Sequence, residues 1–151
     1  MLESLKRALR GLVPDAAPQD DAHTREVAIA ALLFEVSRAD RDVHGHERAL
    51  IEEVIHRHFS AGEAQGRALL ARAETAAREA VSTYEFTRVL NDTLSRGEKA
   101  WLVERLWEVA WADGAVEKYE EALIRKVADL LYVAHADMVA ARWRTAPGGN
   151  P

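Results

Sequence analysis

A stretch of 22 residues occurs twice in this chain. Placing "LFEVSRADRDVHGHERALIEEV", residues 33–54, over "LWEVAWADGAVEKYEEALIRKV", residues 106–127, gives a constant offset of 73 with roughly half of the aligned pairs identical. Shared helical composition alone does not produce so many identities, so an internal repeat constrains the fold first. The recurring apolar pairs Leu33/Leu106, Val36/Val109, Val43/Val116, Leu50/Leu123, Ile51/Ile124 and Val54/Val127 are spaced as the buried stripe of a helix-turn-helix hairpin. Phe34/Trp107 and Phe59/Tyr132 add bulky partners. Two homologous hairpins are therefore expected to pack against each other, joined by bridging helices.

Helical spacing dominates the rest of the chain, and strand-type alternation is absent. It predicts helices at about 22–39, 45–59, 62–80, 83–94, 97–112, 118–132 and 135–144, an all-α bundle of about seven helices. Start signals agree. Ser60 with Glu63, and Ser95 with Glu98, have the three-residue spacing of a capping box, and Ser82 or Thr83 opens "YEFTRVLNDTL" in the same way.

With 151 residues the chain fits one domain, large enough to bury a core without disulfide or structural metal. We divide it into an N-terminal helix and linker (1–19), a helical domain (20–145) and a disordered tail (146–151), whose "APGGNP" lacks core-forming residues. In the first segment Leu2, Leu5, Leu9 and Leu12 share a helical face opposite Lys6, Arg7 and Arg10. Such a helix docks on the domain or makes peripheral contact with a membrane or partner. The two prolines and three aspartates of "VPDAAPQDD" end it.

The absence of cysteine removes disulfides, thiolate zinc sites and cysteine nucleophiles, and suits a reducing cytoplasm. A net charge of −5 argues against nucleic acid as a partner, since phosphates require a basic surface. Apolar runs such as "VAIAALLF" fall far short of the ~20 residues of a bilayer-spanning helix, so no integral membrane segment is expected.

Between the two helices of each hairpin lies an acidic loop, "ADRDVHGHE" and then "ADGAVEKYE". An EF-hand fails on counting. Asp40, Asp42, His44 and Gly45 match positions one, three, five and six, but position twelve is Ile51 instead of a bidentate Glu. Two readings remain. In the first, Glu47 and Glu120 sit at the third residue of a helix, where a carboxylate caps free N–H groups and meets the positive end of the dipole, worth ~0.5–2 kcal/mol. In the second, Asp40, Asp42, Glu47, Asp113 and Glu120 crowd one surface, and a divalent cation or a basic partner relieves their repulsion. Asp40 and Asp113 favour this reading, because a helix C-terminus prefers cations to carboxylates.

Other candidates have plainer explanations. His56 and His58 are two apart and lack the i, i+4 spacing of a zinc pair, so they are expected at the surface. Glu35 and Glu108 recur in the repeat, as solvated or salt-bridged helix residues do. Trp101, Trp107, Trp111 and Trp143 read as core and interface aromatics in a chain without a basic groove. No phosphate-cradling glycine loop, nucleophile elbow or Cys/His pair is present, so no enzyme is expected.

The motifs "EVAWADGAVEKYEEALIRKVADLL" and "EVSRADRDVHGHERALIEEVI", with "YEFTRVLND" between them, resemble the TerB-like (tellurite resistance protein B) family over about residues 24–144. The resemblance implies a cytoplasmic bacterial bundle of about seven helices linked to tellurite resistance and stress responses. It also implies an interaction role like that of related domains beside J-domains in co-chaperones, and metal binding through Asp40, Glu47, Asp113 and Glu120. One departure is Arg41 where the second copy has Gly114, which places a cation of the protein's own beside the first motif. The functional expectation is a non-enzymatic module whose acidic loops bind a divalent cation or a basic partner. The alternative is a structural protein–protein adaptor without a metal site.

Overall fold

Eight consecutive residues, Val27 to Phe34, are buried. Eight residues make more than two turns of helix and project in every direction, so this run has no solvent face. It forms the middle of α1 (Asp21–Ser37), against which α2 (Gly45–His58), α3 (Glu63–Glu79), α4 (Tyr84–Thr93), α5 (Arg96–Ala110) and α6 (Lys118–Leu130) all pack. α7 (His135–Arg144) closes the bundle against α5 and α6. The computed structural model describes residues 21–38, 45–59 and 62–148, and of Asp21, Ala22, Gly45, His46, Glu47, Glu63 and Asp113 only the backbone. Among the described residues there are seven α-helices and no strand, and each helix ends within two residues of its expected bounds. The expected N-terminal helix and linker lie outside the described residues.

The closest packing of α1 is with α3. Both carry buried alanines, Ala28, Ala30 and Ala31 on one and Ala73, Ala76 and Ala77 on the other, and small side chains let helix axes approach. At the repeat's offset, α1 has Ala31 and Leu32 where α5 has Glu104 and Arg105. The first pair is buried, while the second is partly exposed and ion-paired. That exchange of an apolar face for a charged one makes α1 the axis and α5 a peripheral helix.

The hairpins α1–α2 and α5–α6 pack reciprocally, α1 against α6 and α5 against α2. Leu33/Leu106, Phe34/Trp107, Val36/Val109, Ile51/Ile124 and Val54/Val127 are buried in both. Phe59/Tyr132 breaks the correspondence. Phe59 is 6% exposed and Tyr132 is 83% exposed, so Tyr132 is not the bulky core partner expected. Its backbone explains why. Tyr132 follows the last turn of α6 at φ 61, with its N–H donating to the Asp129 carbonyl and the Val133 N–H to the Ala128 carbonyl. This is a Schellman ending in which the left-handed residue faces solvent and Val133 packs back on the core.

One start signal differs from expectation, and another falls on one of its two expected residues. The N-cap of α3 is Gly62, not Ser60, which lies outside the described residues; glycine costs only about a few tenths of a kcal/mol relative to serine there, so the helix starts at Glu63 without a side-chain cap. Before α4, Ser82 Oγ accepts from the Tyr84 N–H at 3.1 Å, whereas the Thr83 hydroxyl is engaged elsewhere. Ser95 and Glu98 form the expected reciprocal box, with bonds of 3.1 and 2.8 Å.

Because Leu32 occupies the side of α1 that is charged in α5, truncating it leaves a void that several helices surround. Leu32→Ala is expected to lower stability by about 2–5 kcal/mol in chemical denaturation. Tyr132→Gly is expected to raise it by about 0.5–1 kcal/mol, since relief of left-handed strain exceeds the added chain entropy and the exposed ring gives up little contact.

Candidate functional site

The second acidic loop begins where α5 tightens into a 3-10 turn, Trp111–Asp113, closed by a bond of 2.7 Å from the Gly114 N–H to the Trp111 carbonyl. Gly114 then takes φ 88, a conformation that a side chain would strain. Val116 packs on the core edge, and Glu117 becomes the N-cap of α6. Three residues on, Glu120 is 1% exposed, and its Oε1 accepts the Glu117 N–H at 3.0 Å. The capping role expected of Glu120 is therefore present, and the core-facing first turn of α6 explains its burial.

Of the remaining candidates, Asp40 and Asp42 lie outside the described residues, as do the side chains of Glu47 and Asp113. The backbone of Glu47 is in the first turn of α2, and that of Asp113 ends the 3-10 turn. That turn packs against α2. The second motif thus approaches the helix that opens five residues after Asp40. Among the described residues no three His, Asp or Glu side chains form a ligand cluster.

At each hairpin an arginine, an aromatic ring and a glutamate meet. In the first hairpin the Arg48 guanidinium lies 5.7 Å from the Phe34 ring centre and donates to Glu74 of α3 at 2.8 Å. In the second the equivalent positions are Glu121 and Trp107. Glu121 is paired with Arg142 of α7, and the Arg142 guanidinium lies 5.1 Å from Trp107, 5.8 Å from Trp111 and 5.1 Å from Trp143. The charges are exchanged between hairpin and neighbouring helix, while the ring stays in place. The sequence comparison registers Arg48/Glu121 only as a mismatch; the oppositely charged partners, Glu74 and Arg142, lie far along the chain from both.

The recurring glutamates are not simply solvated. Burial pushes the Glu35 carboxyl above its ordinary value of 4.5, against a hydrogen bond of 2.8 Å from the Thr83 hydroxyl; the Glu85 carboxylate adds to the rise. Burial raises Glu108 as well, opposed by Arg105 at 3.4 Å. Each also feels charge from the other hairpin, Glu35 from Lys126 of α6 and Glu108 from Arg57 and Glu53 of α2. Among the histidines, His56 is exposed, and His58 makes an edge-on contact with Trp101 at 4.9 Å. Of the tryptophans expected as core and interface groups, Trp107 is buried and donates to the Met138 carbonyl at 3.1 Å, and Trp111, packed on the core, donates to the Arg142 carbonyl at 3.0 Å; Trp101 also packs on the core, whereas Trp143 is exposed at the surface.

Among the described residues the chain is an all-helical bundle in which the α1–α2 and α5–α6 hairpins pack reciprocally. The profile of the TerB family, described as Tellurite resistance protein TerB, matches residues 26–143, and the chain belongs to that family. No curated protein and no solved structure gives a match. No helix among the described residues is long and apolar enough to cross a membrane.

Since the folded chain holds the Glu35 proton more tightly than the unfolded chain does, ionising this group opposes folding. Its contribution is favourable near pH 4.5 and falls as pH rises through the elevated folded value. Glu35→Gln keeps an acceptor for Thr83 and removes the charge. The variant is expected to match the wild type near pH 4.5 and to exceed its melting temperature increasingly toward neutrality; parallel curves would contradict the assignment.

Proposed function

We propose that this chain is a non-enzymatic TerB-class binding module whose two acidic loops take up a divalent cation or a basic region of a partner protein. The observation that supports this reading is the packing of the Trp111–Asp113 turn against α2, which brings the second motif toward the helix bearing the first. Carboxylates of two motifs drawn together would repel one another, and a cation or a basic side chain would offset that repulsion. The donor set is oxygen only, with no thiolate in the chain, which suits a hard ion such as Ca²⁺ or Mg²⁺. Asp40, Asp42, Glu47 and Asp113 would hold it. Glu120, with Oε1 already accepting the Glu117 N–H, adds charge and fixes the start of α6.

A second reading, a protein–protein adaptor, is favoured by a groove of about 380 Å³ between α2 and α3, with Ile55 and Leu70 at its floor and Glu52, His56 and Arg67 around it. In that case, binding would not depend on the acidic loops.

A two-dimensional NMR titration with Ca²⁺, Mg²⁺ and Zn²⁺ separates these readings. The expected result is saturable shifts at 40–47 and 113–120 that vanish in an Asp40→Asn, Asp113→Asn variant. Amides that stay in place at millimolar ion would remove the cation reading, and retention of all partner binding by the same variant would remove the basic-partner reading.

A further inference from the structure

We infer that Arg142 is a positioning residue for the second acidic loop, clamping its entry and exit at once. The entry is Trp111, which opens the 3-10 turn; the guanidinium lies 5.8 Å from its ring centre, and the Arg142 carbonyl accepts its indole N–H at 3.0 Å. The exit is Glu121, adjacent to the capping Glu120 and ion-paired with the same guanidinium. Trp107 and Trp143 approach the cation at 5.1 Å each, so it is surrounded by three indole rings and one carboxylate. The planar guanidinium can stack and form the ion pair together, which a lysine ammonium does less well.

This arrangement is more than a means of attaching α7. That helix has independent anchors in buried Met138 and Ala141 and in the bond from Trp107 Nε1 to the Met138 carbonyl. The first hairpin provides an internal comparison. There the arginine, Arg48, belongs to the hairpin and the carboxylate, Glu74, to the neighbouring helix, with one ring, Phe34, beneath. The same three chemical groups with exchanged polarity therefore meet at both hairpins, and the second set has two additional rings. Trp111 is one of these and lies at the loop's own entry.

The consequence for binding rests on the acidic-loop reading above; the consequence for loop order does not. With Arg142→Met, amide hydrogen exchange at 113–119 is expected to accelerate roughly tenfold while that of the α1 core stays unchanged. If the loop binds Ca²⁺ or Mg²⁺, affinity falls by about tenfold or more, as when support around a ligating group is removed. Arg142→Lys recovers part of the effect. The pair Glu121→Arg, Arg142→Glu, which gives the second hairpin the polarity of the first, recovers more than either single change. Unchanged exchange at 113–119 in folded Arg142→Met, or acceleration spread evenly over the chain, overturns the inference. Should Arg142→Met fold poorly, the exchanged pair decides: local protection above that of both single variants supports the clamp, and none overturns it. Failure of the wild type to bind either ion would remove the cation reading, while the exchange data would still decide the role of Arg142.

Discussion

The burial of Val27 to Phe34, the middle of α1, is the constraint on which the other helices depend. A helix without a solvent face requires neighbours all round, and α2 to α6 provide them. The two hairpins are thereby held on a common axis. Charges at the boundary of the axis respond accordingly: Glu35, near the end of α1, has its carboxyl raised by burial and hydrogen-bonded to Thr83 at the start of α4. Its counterpart Glu108, on peripheral α5, keeps an arginine within 3.4 Å.

The second acidic loop lies where its hairpin turns away from α5, and it is built by short-range chemistry. Its 3-10 turn, left-handed Gly114 and Glu117–Glu120 cap use contacts within a few residues. The arginine–aromatic–glutamate groups work differently, since each joins a hairpin to the helix that follows it, through an ion pair 26 or 21 residues apart. Opposite charge assignments serve the same geometry because the attraction depends on both partners together, not on which backbone carries the cation. The rings stay on the first helix of each hairpin, where their flat faces cover the core and meet the guanidinium.

Much of this fold is legible in the sequence. Helix bounds follow from apolar spacing, and the reciprocal cap at Ser95 follows from Glu98 three residues on, because both report interactions within a turn or two. The role of Glu120 as a capping residue is legible for the same reason. Tyr132 is misread as a core residue because the offset aligns it with Phe59, whereas the ending of α6 turns it outward. Ser60 is misread because spacing alone does not say which small residue takes the cap. Arg142 carries no local signal that sets it apart from Arg144 on the same helix, since the two α5 rings it meets, Trp107 and Trp111, lie 35 and 31 residues away.

The sequence by itself determined the helices, the doubled motif and the family, since periodicity, capping and motif order are properties of neighbours along the chain. Tertiary structure decided which charges answer one another. Arg48 and Glu121, a simple mismatch in the repeat, become equivalent only when Glu74 and Arg142 stand opposite them. A side chain's electrostatic role is set by what surrounds it in space, and helices distant in sequence reach that position only through packing.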